Sequence, residues 1–128
     1  MSYKDLEIWQ IAKEMSIEIH KMSFKELPSF ENFEEGSQIR RSVKSVRSNI
    51  VEGYGRQKYQ QEYYRVLTFS LASCNETIDH LEMLLETESL KNEKLYKHLH
   101  DRLELLGRKI NTLMQKFDVK QNSFNTEN

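Results

Sequence analysis

The chain has 128 residues, of which 30% are charged and 38% hydrophobic, with a formal net charge of −1. That length supports one hydrophobic core, and the balance fits a globular protein, not a disordered or strongly basic one. No apolar run approaches the roughly 20 residues that cross a bilayer, and the start Met-Ser-Tyr-Lys-Asp lacks the apolar stretch of a signal peptide, so a cytoplasmic address is expected.

Four glycines and one proline leave few breaks, so long helices are expected. The first runs from about Asp5 to Ser23, with Asp5 as its cap and Leu6, Ile8, Trp9, Ile11, Ala12, Met15, Ile19 and Met22 as a broad apolar face. A connector from Phe24 to Gly36 follows, containing Pro28 and the acidic Glu31, Glu34 and Glu35. Its Phe24, Leu27, Phe30 and Phe33 are expected to pack onto the body.

The second helix is the basic one. Ile39, Val43, Val46 and Ile50 fall within about 60° of a helical wheel, one buried stripe, while Arg40, Lys44 and Arg47 lie on a flank about 100° away and Arg41 nearly opposite the core. Residues 38–58 carry Arg40, Arg41, Lys44, Arg47, Arg56 and Lys58 against Glu52 alone, so the rest of the chain is acidic. Such a segment is either a solvated face that pairs with acidic neighbours or a surface for a polyanion. Ser42, Ser45 and Asn49 occupy the other flank, where small polar side chains permit close approach of a neighbouring subunit or simply meet water. Gly53-Tyr-Gly55 is expected to stop the helix near Gly53 through positive φ. It follows a helix and lacks a Gly-Lys-Ser/Thr partner, which excludes a phosphate-cradling loop. Glu52 and Arg56, four apart, could pair across this stop.

The third helix, Gln60 to about Glu88, presents Tyr63, Leu67, Leu71, Cys74, Ile78, Leu81 and Leu85 at steps of three and four. Ser89-Leu-Lys-Asn leads into a fourth with Leu95, Leu99, Leu103, Leu106, Ile110, Leu113 and Phe117, close to a heptad. Four such stripes close into an all-α, antiparallel up-and-down four-helix bundle over residues 1–117, with 118–128 a polar tail expected to be disordered.

Catalytic and metal chemistry find no constellation. A di-metal carboxylate bundle needs Glu-x-x-His pairs, and the residues three before His20, His80, His98 and His100 are Ile17, Thr77, Leu95 and Lys97. Glu76 and His80, one turn apart, read as surface decoration. Cys74, the only cysteine, sits in an apolar pattern with no neighbouring base, the setting of a buried thiol. No catalytic residue, metal ligand or cofactor is therefore expected, and the chain reads as a non-enzyme. Tyr54 and Tyr59, beside the basic helix, are candidates for stacking on unpaired bases, whereas Tyr63 and Tyr64 belong with the core stripe.

Asp5-Leu-Glu-Ile-Trp9, Gln38-Ile-Arg-Arg41, Ser48-Asn-Ile50 and Glu52-Gly-x-Gly-Arg56 together resemble the four-helix bundle family of 23S ribosomal RNA intervening-sequence proteins, over about Tyr3 to Phe117. Arg47 stands where many members have proline, which adds a charge and removes a helix irregularity. The resemblance implies a bacterial protein whose relatives are often encoded within insertions in ribosomal RNA genes and assemble as rings of five. A similar bundle is the accessory protein of diversity-generating retroelements, where a basic pentamer associates with nucleic acid and a reverse transcriptase. The resemblance implies a homo-oligomer, expected to be a pentamer; with the charge and the wheel of the basic helix, the chain is expected to contact RNA or DNA phosphate through Arg40, Arg41, Lys44, Arg47 and Arg56, with Ser42, Ser45 and Asn49 at the subunit interface. The alternative is a protein-interaction scaffold without nucleic acid, in which the same cations meet the acidic connector of a neighbouring subunit.

Overall fold

The computed structural model describes residues 1–118. Four helices, α1 (Glu7–Lys25), α2 (Glu35–Gly55), α3 (Gln60–Glu86) and α4 (Glu93–Gln115), are accompanied by two short 3-10 turns at Tyr3–Asp5 and Ser29–Phe33. Side-chain contacts fix their directions. Ser23 meets Arg40 and Ser16 meets Arg47; Ser42 meets Thr77 and Ser45 meets Ser73. Cys74 reaches the Leu103 carbonyl and Glu82 meets His100, while Glu18 meets His98 and Glu14 meets Arg102. In each pair one number rises as the other falls, so every neighbouring pair of helices is antiparallel and α1 closes the square against α4. The chain is an all-α, up-and-down four-helix bundle.

The apolar stripes build the core. Ile39, Val43, Val46 and Ile50 of α2 are fully buried, as are Met15 and Ile19 of α1, Leu67, Cys74, Leu81 and Leu84 of α3, and Leu99, Leu103, Leu106 and Ile110 of α4. Each large aliphatic among them is worth about 1.5–3 kcal/mol over an exposed position. Leu71, Ile78 and Leu85 flank the α3 stripe half-buried, and Val66 and Leu84 complete it. Beyond α4, Phe117 stacks on the buried Tyr63, ring centres 4.5 Å apart, and closes the bundle end. The tail expected over residues 118–128 lies, apart from Asp118, outside the described residues.

Three local expectations are corrected. Asp5 does not cap α1: it forms a capping box with Ser2 around the Tyr3–Asp5 turn, and α1 starts two residues later. The Gly53-Tyr-Gly55 segment does not stop α2 at Gly53. The helix continues through Gly55 without any positive φ, because the Arg56 and Gln57 amides close the turn on the Gly53 and Tyr54 carbonyls. The connector, finally, buries only Leu27 of its four expected apolar anchors, while Phe24, Phe30 and Phe33 stay exposed, Phe33 at 90%.

The connector is anchored instead by an acid. Glu31 is buried, and its carboxylate accepts the Glu35 amide at the start of α2 (3.1 Å) and the Ser89 hydroxyl of the α3–α4 linker (2.6 Å). Among the described residues no other side chain caps α2, so this carboxyl group serves the helix-start amide.

Candidate functional site

The predicted cations of α2 divide by where the helix aims them. Arg56 is compensated, its guanidinium bonding Glu52 and Glu62, each at 2.9 Å. Hydrogen bonds from Arg65 and Arg56 hold the Glu62 carboxyl below the usual carboxylate range. Arg41 and Lys44 are exposed and have no hydrogen-bonding or ion-pair partner among the described residues.

Arg40 and Arg47 are half-buried on the side of α2 that meets α1, and both are held by neutral oxygens. Arg40 donates to the Ser23 hydroxyl and to the Asn32 carbonyl, each at 2.9 Å, with its guanidinium carbon 4.3 Å from the centre of the Phe24 ring. Seven residues on, Arg47 donates to the Ser16 hydroxyl at 3.2 Å and lies 5.3 Å from the centre of the Trp9 ring. Ser23 and Ser16 are themselves seven apart. Each donates its own proton to the carbonyl three residues back and so presents a lone pair to its arginine. Lys13 of α1 places its ammonium 5.5 Å from the same Trp9 ring.

The result is a seam between α1 and α2 bearing Lys13, Arg40, Lys44 and Arg47, where no carboxylate of the described residues pairs with any of the four. The α1 acids Glu14 and Glu18 point instead toward α4, where they meet Arg102 and His98. Holding arginines without neutralising them leaves a fixed positive field that a phosphate can satisfy by bidentate bonding. The contribution of α1 is invisible from α2 alone, yet it has a sequence signal: Lys13, Ser16, His20, Ser23 and Phe24 share one flank of the α1 wheel, and that flank carries no acid.

The small-residue flank of α2 is spent largely inside the chain. Ser42 is 4% exposed and accepts from Thr77 at 2.8 Å, and Ser45 shares a 2.9 Å hydrogen bond with Ser73 while accepting from Asn49. The helix that approaches Ser42 in the chain itself is α3. Ser45 and Asn49 remain half-exposed at the outer rim of the same contact. Of the two tyrosine candidates, Tyr54 donates to the Met1 carbonyl, and Tyr59 is exposed with Lys58 5.2 Å from its ring centre.

Two groups bring possible metal ligands within 4.8 Å of one another: Glu14, Glu18 and His98 across α1 and α4, and His100, Asp101 and Glu104 along α4. Most of their atoms are already engaged, Glu14 with Arg102, Glu18 with His98 at 3.0 Å, and His100 between Glu82 and Glu104. His80 likewise bonds Glu35 at 2.7 Å, with Glu76 more distant at 3.8 Å. These contacts tie helices together. Cys74 is buried with its thiol pushed up to about 12 by that burial, so it is protonated at neutral pH and unsuited to nucleophilic attack.

Fold and seam together define a helical bundle with a cationic seam between α1 and α2. A model of the 23S rRNA-intervening sequence protein family matches residues 4–112, and the chain belongs to that family. Its fold is shared with a crystal structure of a protein of unknown function from the S23 ribosomal protein family of Bacteroides thetaiotaomicron. The two are 22% identical with a TM-score of 0.76, the match covering 84% of this chain and 95% of that one. No curated protein matches the chain. Among the described residues, no helix is long and apolar enough to cross a membrane.

Proposed function

We propose that this chain is a non-catalytic, homo-oligomeric bundle that associates with nucleic acid, RNA or DNA, through the phosphates it takes onto the α1–α2 seam. The carrying observation is that Arg40 and Arg47 are positioned by Ser23, Asn32 and Ser16 yet paired with no acid among the described residues, beside the exposed ammonium groups of Lys13 and Lys44. Arg41 extends the field on the outer face of α2; Arg56, committed to Glu52 and Glu62, contributes little. The family's description refers to an intervening sequence of 23S rRNA, which agrees with a polyanionic partner.

Binding of wild type to structured RNA, single-stranded DNA and duplex DNA, titrated against salt, tests the reading. The informative variant is Lys13→Gln with Lys44→Gln, because both side chains are exposed and neither holds the fold, whereas Arg40 ties the connector down. Wild type should bind with little sequence preference and weaken steeply with salt, and the double variant should lower the slope of log affinity against log salt by roughly 1.5.

One observation favours the scaffold reading as a second possibility: Phe30 and Phe33, 59% and 90% exposed, stand together on the connector with Glu34 beside them. Large exposed aromatics of this kind mark contact surfaces. Failure of wild type to bind any of the three nucleic acids at low salt would place that reading first. A five-chain assembly is the expected oligomer, and a monomer by light scattering at micromolar concentration would overturn it.

A further inference from the structure

Resting on the nucleic-acid reading, we infer that the α1–α2 seam takes an unpaired strand, with one nucleobase stacked on the open face of Phe24. Phe24 is 53% exposed although it belongs to α1 and not to a loop tip. Arg40 lies over one face of its ring, and His20 packs in an edge-type contact with it, ring centres 5.1 Å apart at 61°. More than half of the residue still meets solvent, which leaves room for a base on the ring away from Arg40. Arg40 is itself fixed by two hydrogen bonds, so ring and guanidinium form a rigid platform that loses little freedom when a ligand arrives.

The other aromatic residues show why this ring is singled out. Trp9 has two cations against it, Lys13 and Arg47, but is 7% exposed and offers no face to a base. Phe69 is open, yet its Arg65 is paired with Glu62. Tyr59 stands at the far end of α2, beside the Glu52–Arg56–Glu62 network. Phe30 and Phe33 have no cation of the described residues over their rings. Phe24 alone combines an open face, a fixed cation and the acid-free seam, so phosphates and a base can be engaged by one strand at once. A duplex keeps its bases stacked on one another and gives Phe24 nothing, whereas every unpaired base has a face to offer.

The test compares a short oligouridylate with a duplex of equal length at one salt concentration, using wild type, Phe24→Leu and Phe24→Tyr. Leucine keeps the apolar bulk and removes the aromatic face; tyrosine keeps the face. Wild type should prefer the single strand, and Phe24→Leu should lose about 5- to 150-fold of that affinity. Its duplex affinity and its salt slope should stay unchanged, and Phe24→Tyr should restore wild-type behaviour. A single strand carrying 2-aminopurine should show fluorescence quenching with wild type and with Phe24→Tyr only. Equal losses on both probes, no loss on either, or a change in the mass of the assembly on Phe24→Leu would overturn the stacking role while leaving phosphate binding intact. Wild type binding neither probe would remove the nucleic-acid reading and this one with it.

Discussion

The Ser89 hydroxyl donates to Glu31 at 2.6 Å in the interior of the bundle end, 58 residues apart in the chain. The same carboxylate accepts the first amide of α2, so the α1–α2 connector, the start of α2 and the α3–α4 linker share one buried anion. Replacing Glu31 by alanine leaves a buried hydroxyl and a helix-start amide without their acceptor. Loss of about 1–3 kcal/mol of stability is expected, read by urea denaturation followed by circular dichroism. A stability change within error would show that water satisfies both donors equally well.

Two glycines of α2 should respond in opposite directions to alanine. A Cβ at Gly36 would fall within contact distance of the Glu31 carbonyl oxygen, a backbone atom that cannot yield without moving the connector. Gly36→Ala should therefore cost about 1–3 kcal/mol. Gly55 has nothing within 4 Å of such a Cβ and is helical, so Gly55→Ala should be neutral or add up to about 1 kcal/mol. Thermal melts of the two variants check both signs.

Cys74 gives a pH-dependence with a definite sign. Burial pushes its thiol up from about 9 to about 12, so between these values the unfolded chain has released a proton that the folded chain retains. The folded state then binds more protons, and stability must fall as pH rises through that window. Burial raises the Tyr63 phenol as well, which adds to the same loss. Cys74→Ala should flatten the alkaline limb of stability against pH. In the native protein at pH 8, a thiol reagent should react at the rate of unfolding and not at that of a free thiol.

Removal of divalent ions is expected to leave the bundle intact. Glu14, Glu18 and His98 meet across α1 and α4 through direct bonds among themselves and with Arg102. Helicity and the melting midpoint should be unchanged after dialysis against a chelator. A lowered midpoint would reassign this group to ion binding.

The stripes Ile39–Val43–Val46–Ile50 and Leu99–Leu103–Leu106–Ile110 are legible in the sequence because a periodic apolar face has one physical solution, burial against other such faces. The connector is less legible. Composition cannot tell that Glu31 is buried and Phe33 exposed, since the decision rests on a hydroxyl 58 residues away. The basic segment was legible as a concentration of charge, but which cations are neutralised was not, because Glu62 reaches Arg56 from α3 and no acid of the described residues reaches Arg40 or Arg47. At Ser42 the wheel shows a small residue suited to close approach but cannot say which helix approaches, and within the chain it is α3.

The one-signed seam also restricts how copies of this chain can meet. A two-fold axis laid along it would set Arg40 against Arg40 and Arg47 against Arg47, guanidinium facing guanidinium with no acid to mediate. An isologous dimer through this surface is thus disfavoured from the start. An assembly that covers the seam must set it against a different and more acidic patch of the next copy, and a heterologous join does so without bringing the two seams together. Repetition of such a join closes into a ring or runs on as a filament, and a join that leaves the seam uncovered repeats its charge at regular intervals around the particle.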